Sequence, residues 1–262
     1  MTEQLSLRVS VATVVKVLFE NPGDSELMLA LERKATILSN GVIITRAQPF
    51  GGGIRILNPS PLQEIIGEIQ FDSEQSQREQ DFRILIPPSK WELVKQYCLH
   101  QLENPNDTEL ESLPHRELVE EFEETLNVDL KVDQYTVHPA GFVIENTPVP
   151  TDNIYVMGLP TVRIYRIFEV HIVENALCTI MLRTSERFSN QDLRALALQE
   201  LQNGGRGFAN CILTLPLDLV LESYRGLPPE MRYGKIIIEN HELDQSVLAI
   251  LNDIDVPQYQ RL

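Results

Sequence analysis

The chain has 262 residues, enough for one elaborated domain or two small ones with a substantial core. Its 38 acidic and 22 basic residues give a net charge of −16, which excludes nucleic-acid polymers and anionic membranes as natural partners. Three cysteines (Cys98, Cys178, Cys211) stand far apart without a Cys-x-x-Cys pair, which points to a reducing cytoplasm, and no apolar run is long enough to span a membrane.

The N-terminal segment reads as a strand carrying Arg8 and Lys16, not as a secretion signal. Val9, Val11, Thr13, Val15, Val17 and Phe19 alternate with their neighbours, as in a half-buried strand. Asn21-Pro-Gly-Asp24 is turn chemistry, and Leu27 to Leu31 reads as the returning strand, followed by the basic pair Arg33 and Lys34. Gly51, Gly52 and Gly53 then form a turn whose backbone can take positive φ and approach a ligand closely.

Residues 57–112 carry a segment orderly enough to fold. Leu62 to Phe71 and Phe82 to Ile86 predict a strand pair joined by the polar run Ser73–Asp81. Pro87-Pro88-Ser89 opens a helix over Lys90 to Leu102, packed through Trp91 and ending before Asn104-Pro105.

Pro114 to Leu126 is the stretch richest in chemistry. Wound as a helix, it places Glu117, Glu120, Glu121 and Glu124 on one arc and Leu118, Val119, Phe122 and Leu126 on another. Carboxylates three, four and seven residues apart repel one another, and a divalent cation removes that penalty. A solvated acidic face is the plainer alternative. His115 precedes the helix as an exposed first-turn residue or a substrate contact.

The order Arg116-Glu117-Leu118-x-Glu120-Glu121 resembles the core of the Nudix box, and the preceding order of strand, hairpin partner and Gly-Gly turn resembles the opening of a Nudix domain. The match departs at four places. Glu123 and Glu124 stand where the box has Gly and an aliphatic residue, Pro59 stands where it has an upstream Glu, and residues 54–115 intervene between Gly53 and Arg116. The resemblance covers roughly residues 7–56 and 113–200. It implies an α/β (α+β) fold: a Nudix-like α/β/α sandwich with a mixed sheet over residues 1–262, an insertion at 57–112 and a C-terminal helical extension at 214–262.

Beyond the acidic helix, Val128 to Val137 is strand-like, with Gly141 to Ile144 extending it. Val162 to Val173 and Ala176 to Leu182 read as a hairpin turning at Glu174-Asn175. Ser189 caps a helix through Leu201, stopped by Asn203-Gly204-Gly205. Thr214 and Pro216 begin a helix that closes at Gly226, and a strand Lys235–Glu239 leads into a helix capped by Asn240. Gly204-Gly-Arg-Gly207 lacks the Lys-Ser/Thr of a phosphate loop, no Gly-x-Ser-x-Gly elbow occurs, and Cys98 and His100 lie on different helix faces.

The resemblance implies a pyrophosphohydrolase acting on a phosphoanhydride bond in a nucleoside diphosphate linked to another moiety. Glu117, Glu120 and Glu121 would hold Mg²⁺ or Mn²⁺, with Glu117 as ligand or base, Glu124 joining from the same face, and Arg116 orienting a carboxylate. Gly51, Gly52 and Gly53 would turn amides toward a phosphate. As exposed sites, Glu120 and Glu121 should tolerate Gln within about 1 kcal/mol of stability. Two alternatives stay open: an inactive Nudix-like domain that binds a nucleotide or a partner protein, and a plain α+β protein with an acidic helix. The expected ligand is a nucleotide-type small molecule, and a homodimer is open.

Overall fold

A computed structural model describes residues 6–38, 40–103, 108–111, 113–151 and 156–262. The strands are β1 (Leu7–Glu20), β2 (Leu27–Ile37), β3 (Ile43–Gln48), β4 (Gln70–Phe71), β5 (Arg83–Ile86), β6 (Tyr135–Pro150), β7 (Pro160–Ile172), β8 (Phe208–Pro216), β9 (Ile236–Ile238), β10 (His241–Leu243) and β11 (Gln260–Arg261). The helices are α1 (Ser60–Ile66), α2 (Glu74–Glu79), α3 (Trp91–Glu103), α4 (His115–Leu126), α5 (Asn175–Arg187), α6 (Asn190–Gln202), α7 (Leu217–Arg225) and α8 (Pro229–Arg232).

The strands form one curled mixed sheet in the order β11-β6-β7-β1-β2-β3-β10-β9, with β5 also on β1, β4 on β5 and β8 on β2. The alternation in β1 explains its central place. Val15, Val17 and Phe19 enter one core and Val14 and Leu18 another, so this strand is apolar on both faces. One edge of β1 pairs in parallel with β7 along most of its length, from Arg8↔Thr161 to Leu18↔His171.

Its other edge changes partner twice. Residues Leu7 to Ser10 pair with β5 and Val17 to Glu20 pair with β2. Past Ala30, β2 leaves β1 and takes β3 instead, from Glu32↔Gln48 to Ile37↔Ile43. The fork between the diverging strands is filled by the segment after β3: Val15 N donates to Phe50 O at 2.8 Å, Thr13 N to Gly52 O at 3.0 Å and Ile54 N to Val11 O at 3.1 Å. The glycine turn therefore lies where the sheet splits.

Helix α4 crosses this fork. Leu118 and Phe122 are fully buried among Val15, Val17, Phe50, Cys178 and Ile212, and the Phe50 and Phe122 ring centroids are 5.2 Å apart. Burial of this kind contributes about 1.5–3 kcal/mol per side chain. On the opposite face, Val220, Leu221 and Tyr224 of α7 pack with Val247 to Leu251 against Leu29, Leu31 and Ile167. The chain end closes onto the sheet through β11, where the Arg261 guanidinium donates to the carbonyls of Leu248, Ala249 and Leu251.

Several expected elements take other forms. Residues 60–66 and 74–79 are helices, so the expected strand pair in the inserted segment shrinks to β4 and β5, registered Gln70↔Leu85 and Phe71↔Ile84. Pro61 at the first turn of α1 and the Ser73 hydroxyl accepting from Ser76 N at the cap of α2 favour helix there. Asn175–Arg187 is helical, burying Leu177, Cys178 and Met181 at helical spacing. Residues 128–131 are irregular, and β6 begins only at Tyr135. Thr214 belongs to β8, and α7 starts after Pro216, whose ring cannot continue the ladder. Glu239 and Asn240 form a positive-φ turn (47° and 66°) into β10 instead of a helix start. The capping of α6 by Ser189 is as expected, and the structure adds the reciprocal contact from Asp192. The helix over Trp91 to Leu102 is also present, while its expected stop at Asn104-Pro105 lies outside the described residues. Among the described residues no helix is long and apolar enough to cross a membrane.

Candidate functional site

The glycine turn and α4 meet at a cleft of about 380 Å³. Gly51, Gly52 and Gly53 line one side and Glu117, Glu120, Glu121 and Glu124 another, with Arg116 beside them. All eight residues singled out in the sequence thus share one cavity.

The fit is tight enough to require glycine. Gly51 has φ 132°, and a Cβ there would lie 2.1 Å from the Thr13 carbonyl oxygen. A Cβ on Gly52 would lie 2.2 Å from Glu117 Oε2, so the carboxylate rests directly on the turn. The Gly51 amide donates to Glu121 Oε2 at 2.6 Å. A backbone N–H aimed at an anion is the interaction expected of such a turn, here satisfied by the protein's own carboxylate.

The acidic arc is not uniformly exposed, which corrects the expectation for Glu121. The buried side of α4 comprises Leu118, Glu121, Phe122 and Thr125, leaving Glu121 only 7% exposed, whereas the Glu120 side chain is 52% exposed. Burial pushes the Glu121 carboxyl well above its ordinary value; the nearby charge of Glu32 adds to this, while Lys34 and the Gly51 amide oppose it. Glu117 is raised by burial, with Glu120 and Asp81 adding and Arg116 opposing.

Arg116 is the hub of the cluster. Its Nε reaches Glu111 Oε1 at 3.0 Å and its Nη2 reaches Glu111 Oε2 at 2.7 Å. Nη2 also pairs with Glu117 Oε1 at 2.6 Å, and Nη1 with Glu120 Oε2 at 3.0 Å. Glu124 accepts a long bond from Asn210 Nδ2 at 3.4 Å. His115 is half-buried, its Nδ1 2.7 Å from the Tyr135 hydroxyl.

Strand alternation brings in Glu32, which local sequence reading passed over, and places Lys34 beside it. Met28 and Ala30 face the α4 core, so Glu32 and Lys34 reach the same side, while Arg33 turns away to Cys211, Asn190 and the Phe188 carbonyl. Glu32 is fully buried, 2.5 Å from Lys34 Nζ, and it accepts from Asn210 Nδ2 at 3.2 Å and Gln48 Nε2 at 3.3 Å. Burial lowers the Lys34 ammonium, but Glu32, Glu121 and Glu124 outweigh it and leave it raised.

The inserted segment supplies the opposite wall. Arg55 pairs with Asp81 in an antiparallel bridge, and alternation sends Ile54, Ile56, Phe82 and Ile84 into a core while Arg55, Asp81 and Arg83 line the cleft. Asp81 is 6% exposed and its carboxyl is raised by burial, against the pull of Arg83, whose Nη1 is 3.1 Å away. The alternation of its strand carries a signal for Glu32, whereas Asp81 and Glu111 have no local signal.

Crowded, partly desolvated carboxylate oxygens are the donor type that a hard divalent cation takes. Among the described residues no three such groups converge as a ready ligand set, and Arg116 holds Glu117 and Glu120 on its guanidinium. Comparison with family models, curated proteins and solved structures finds no match to this chain.

Proposed function

We propose that the chain is a Nudix-like hydrolase dependent on Mg²⁺ or Mn²⁺, cleaving a phosphoanhydride bond in a nucleoside diphosphate linked to a second moiety. The observation that carries this reading is the contact of the glycine turn with the acidic helix: Gly51 N lies 2.6 Å from Glu121 Oε2 although 70 residues separate them. The glycine turn and the acidic helix, far apart in sequence, line one cleft with residues of the inserted segment, which supports reading them as two halves of one motif.

Glu120 and Glu121 would hold the cation, with Glu117 as a further ligand or as the base that activates water. The bound ion would offset charge on the phosphate oxygens and lower the pKa of a water. Arg116 sets the direction of Glu117 and Glu120 and is itself fixed by Glu111. As the base, Glu117 would be held against the glycine turn and oriented by Arg116. It takes the proton of the attacking water as the oxygen–phosphorus bond forms, and the leaving phosphate departs with the bridging oxygen.

The test follows ADP-ribose with Mn²⁺ by ³¹P NMR. The reading expects two monophosphates from the wild type and none from the Glu120→Gln and Glu121→Gln variants. Turnover surviving in both variants sinks it. A binding-only reading is favoured by one observation, the occupation of Glu117 and Glu120 by Arg116. Calorimetric binding of ADP-ribose without product would select that reading.

A further inference from the structure

We infer that Arg55 and Arg83, on the wall contributed by and adjoining the inserted segment, bind the substrate's diphosphate opposite the acidic helix, so that the cleft takes diphosphates and rejects monophosphate esters. This rests on the hydrolase reading above for the identity of the substrate but has its own observations.

Both walls of the cleft mix charges: the α4 carboxylates stand beside Arg116 and Lys34, and opposite them the guanidinium groups of Arg55 and Arg83 stand on neighbouring extended segments beside Glu79 and Asp81. Alternation fixes their direction: Ile54, Ile56, Phe82 and Ile84 are each at most 4% exposed in the core, so the residues between them face the cavity. Arg55 makes no ion pair among the described residues, and Arg83 makes one, to Asp81. Arg116 differs from both, since three carboxylates occupy it.

A half-buried guanidinium without an ion-pair partner, facing a cavity of about 380 Å³, has donors available to a ligand. Phosphate oxygens match its planar fork in two bonds at once, which a lysine ammonium does not reproduce. A monophosphate ester drawn to the acidic wall by a cation leaves this second wall unmet. A diphosphate engages both, and this gives the inserted segment a role in substrate selection.

The experiment measures binding of α,β-methylene-ADP and of AMP by calorimetry to the full chain, with and without Mn²⁺, alongside a Mn²⁺ titration by electron paramagnetic resonance. The wild type should prefer the diphosphonate, and Arg55→Ala and Arg83→Ala should each weaken it about tenfold, the loss of one charge-assisted contact. Arg55→Lys should recover only part of the affinity, and the Mn²⁺ titration should stay unchanged in all three variants. Melting curves identify any variant that misfolds; Arg55→Gln, which keeps the side chain's length, then takes the place of Arg55→Ala.

Wild-type affinity for α,β-methylene-ADP retained by the arginine variants overturns the inference, as does equal binding of AMP or no binding of the diphosphonate at all. If Mn²⁺ binds normally in that case, the hydrolase reading survives alone. If Mn²⁺ fails to bind while the diphosphonate still depends on Arg55, the inference stands and the hydrolase reading falls.

Discussion

The amide of Gly51 and the carboxylate of Glu121 lie 70 residues apart in the chain and 2.6 Å apart in space. That bond ties the fork between β1 and β2 to the helix laid across it, so the backbone of one element and the side chain of another are set by a single interaction. Changes on either side of it should separate folding from chemistry.

Gly51 and Gly52 should not behave alike. Gly51→Ala places a Cβ 2.1 Å from the Thr13 carbonyl at φ 132°; backbone has to move, and a loss of about 2 kcal/mol or more is expected in chemical denaturation. In Gly52→Ala the clash is with the end of the Glu117 side chain, which can swing aside. Stability should then change by about 1 kcal/mol or less, while hydrolysis falls because Glu117 is displaced. Equal destabilisation by both would contradict the geometry.

Phe122 is fully buried against Phe50. Phe122→Ala should cost about 3–5 kcal/mol in urea unfolding, through lost burial and the cavity left behind. A cost below about 1 kcal/mol would mean that α4 is not docked on the fork.

Glu121 has a pH signature of defined sign. Its carboxyl is raised above the ordinary 4.5 on folding, mainly by burial, so the folded state binds the proton more tightly than the unfolded one. Wild-type stability is therefore eroded as pH rises from the unfolded value through the raised folded value. Glu121→Gln removes that erosion and keeps an oxygen to accept from the Gly51 amide. The variant should melt higher than wild type at neutral pH, with the difference vanishing below about pH 4.5. A variant less stable than wild type at neutral pH would show that the carboxylate is net stabilising there.

Arg116→Ala should leave Glu111, Glu117 and Glu120 facing one another without a cation. A loss of about 1–3 kcal/mol is expected in thermal unfolding. Millimolar Mg²⁺ should restore part of it, and more than it adds to the wild type. A melting temperature indifferent to Mg²⁺ in the variant would argue against cation affinity in the cleft.

The parts of this arrangement legible in the sequence were those set by local pattern. Val9 to Phe19 alternate clearly enough to fix β1, Ser189 announces α6, and the spacing in His115–Leu126 gives α4 its two arcs. Ala176 to Leu182 misled because a short apolar run does not reveal its period, and α5 is decided by packing of Leu177, Cys178 and Met181 on the sheet. β8 escaped notice because its ladder lies against β2, from Met28↔Pro216 to Thr36↔Phe208, far away in sequence. In the site, α4 and the glycines could be read directly. Asp81 could not, since only its pairing with Arg55 turns it toward Glu117, and Glu111 could not, since its role comes from Arg116 folding back over it. The depth of Glu121 depends on how α4 rotates onto Phe50, which tertiary packing sets.

Crystals soaked in manganese chloride and measured at the manganese absorption edge test the central claim most directly. An anomalous peak is expected in the cleft between the Gly51–Gly53 turn and the carboxylates of Glu117, Glu120 and Glu121. Well-diffracting soaked crystals with no peak there would contradict it.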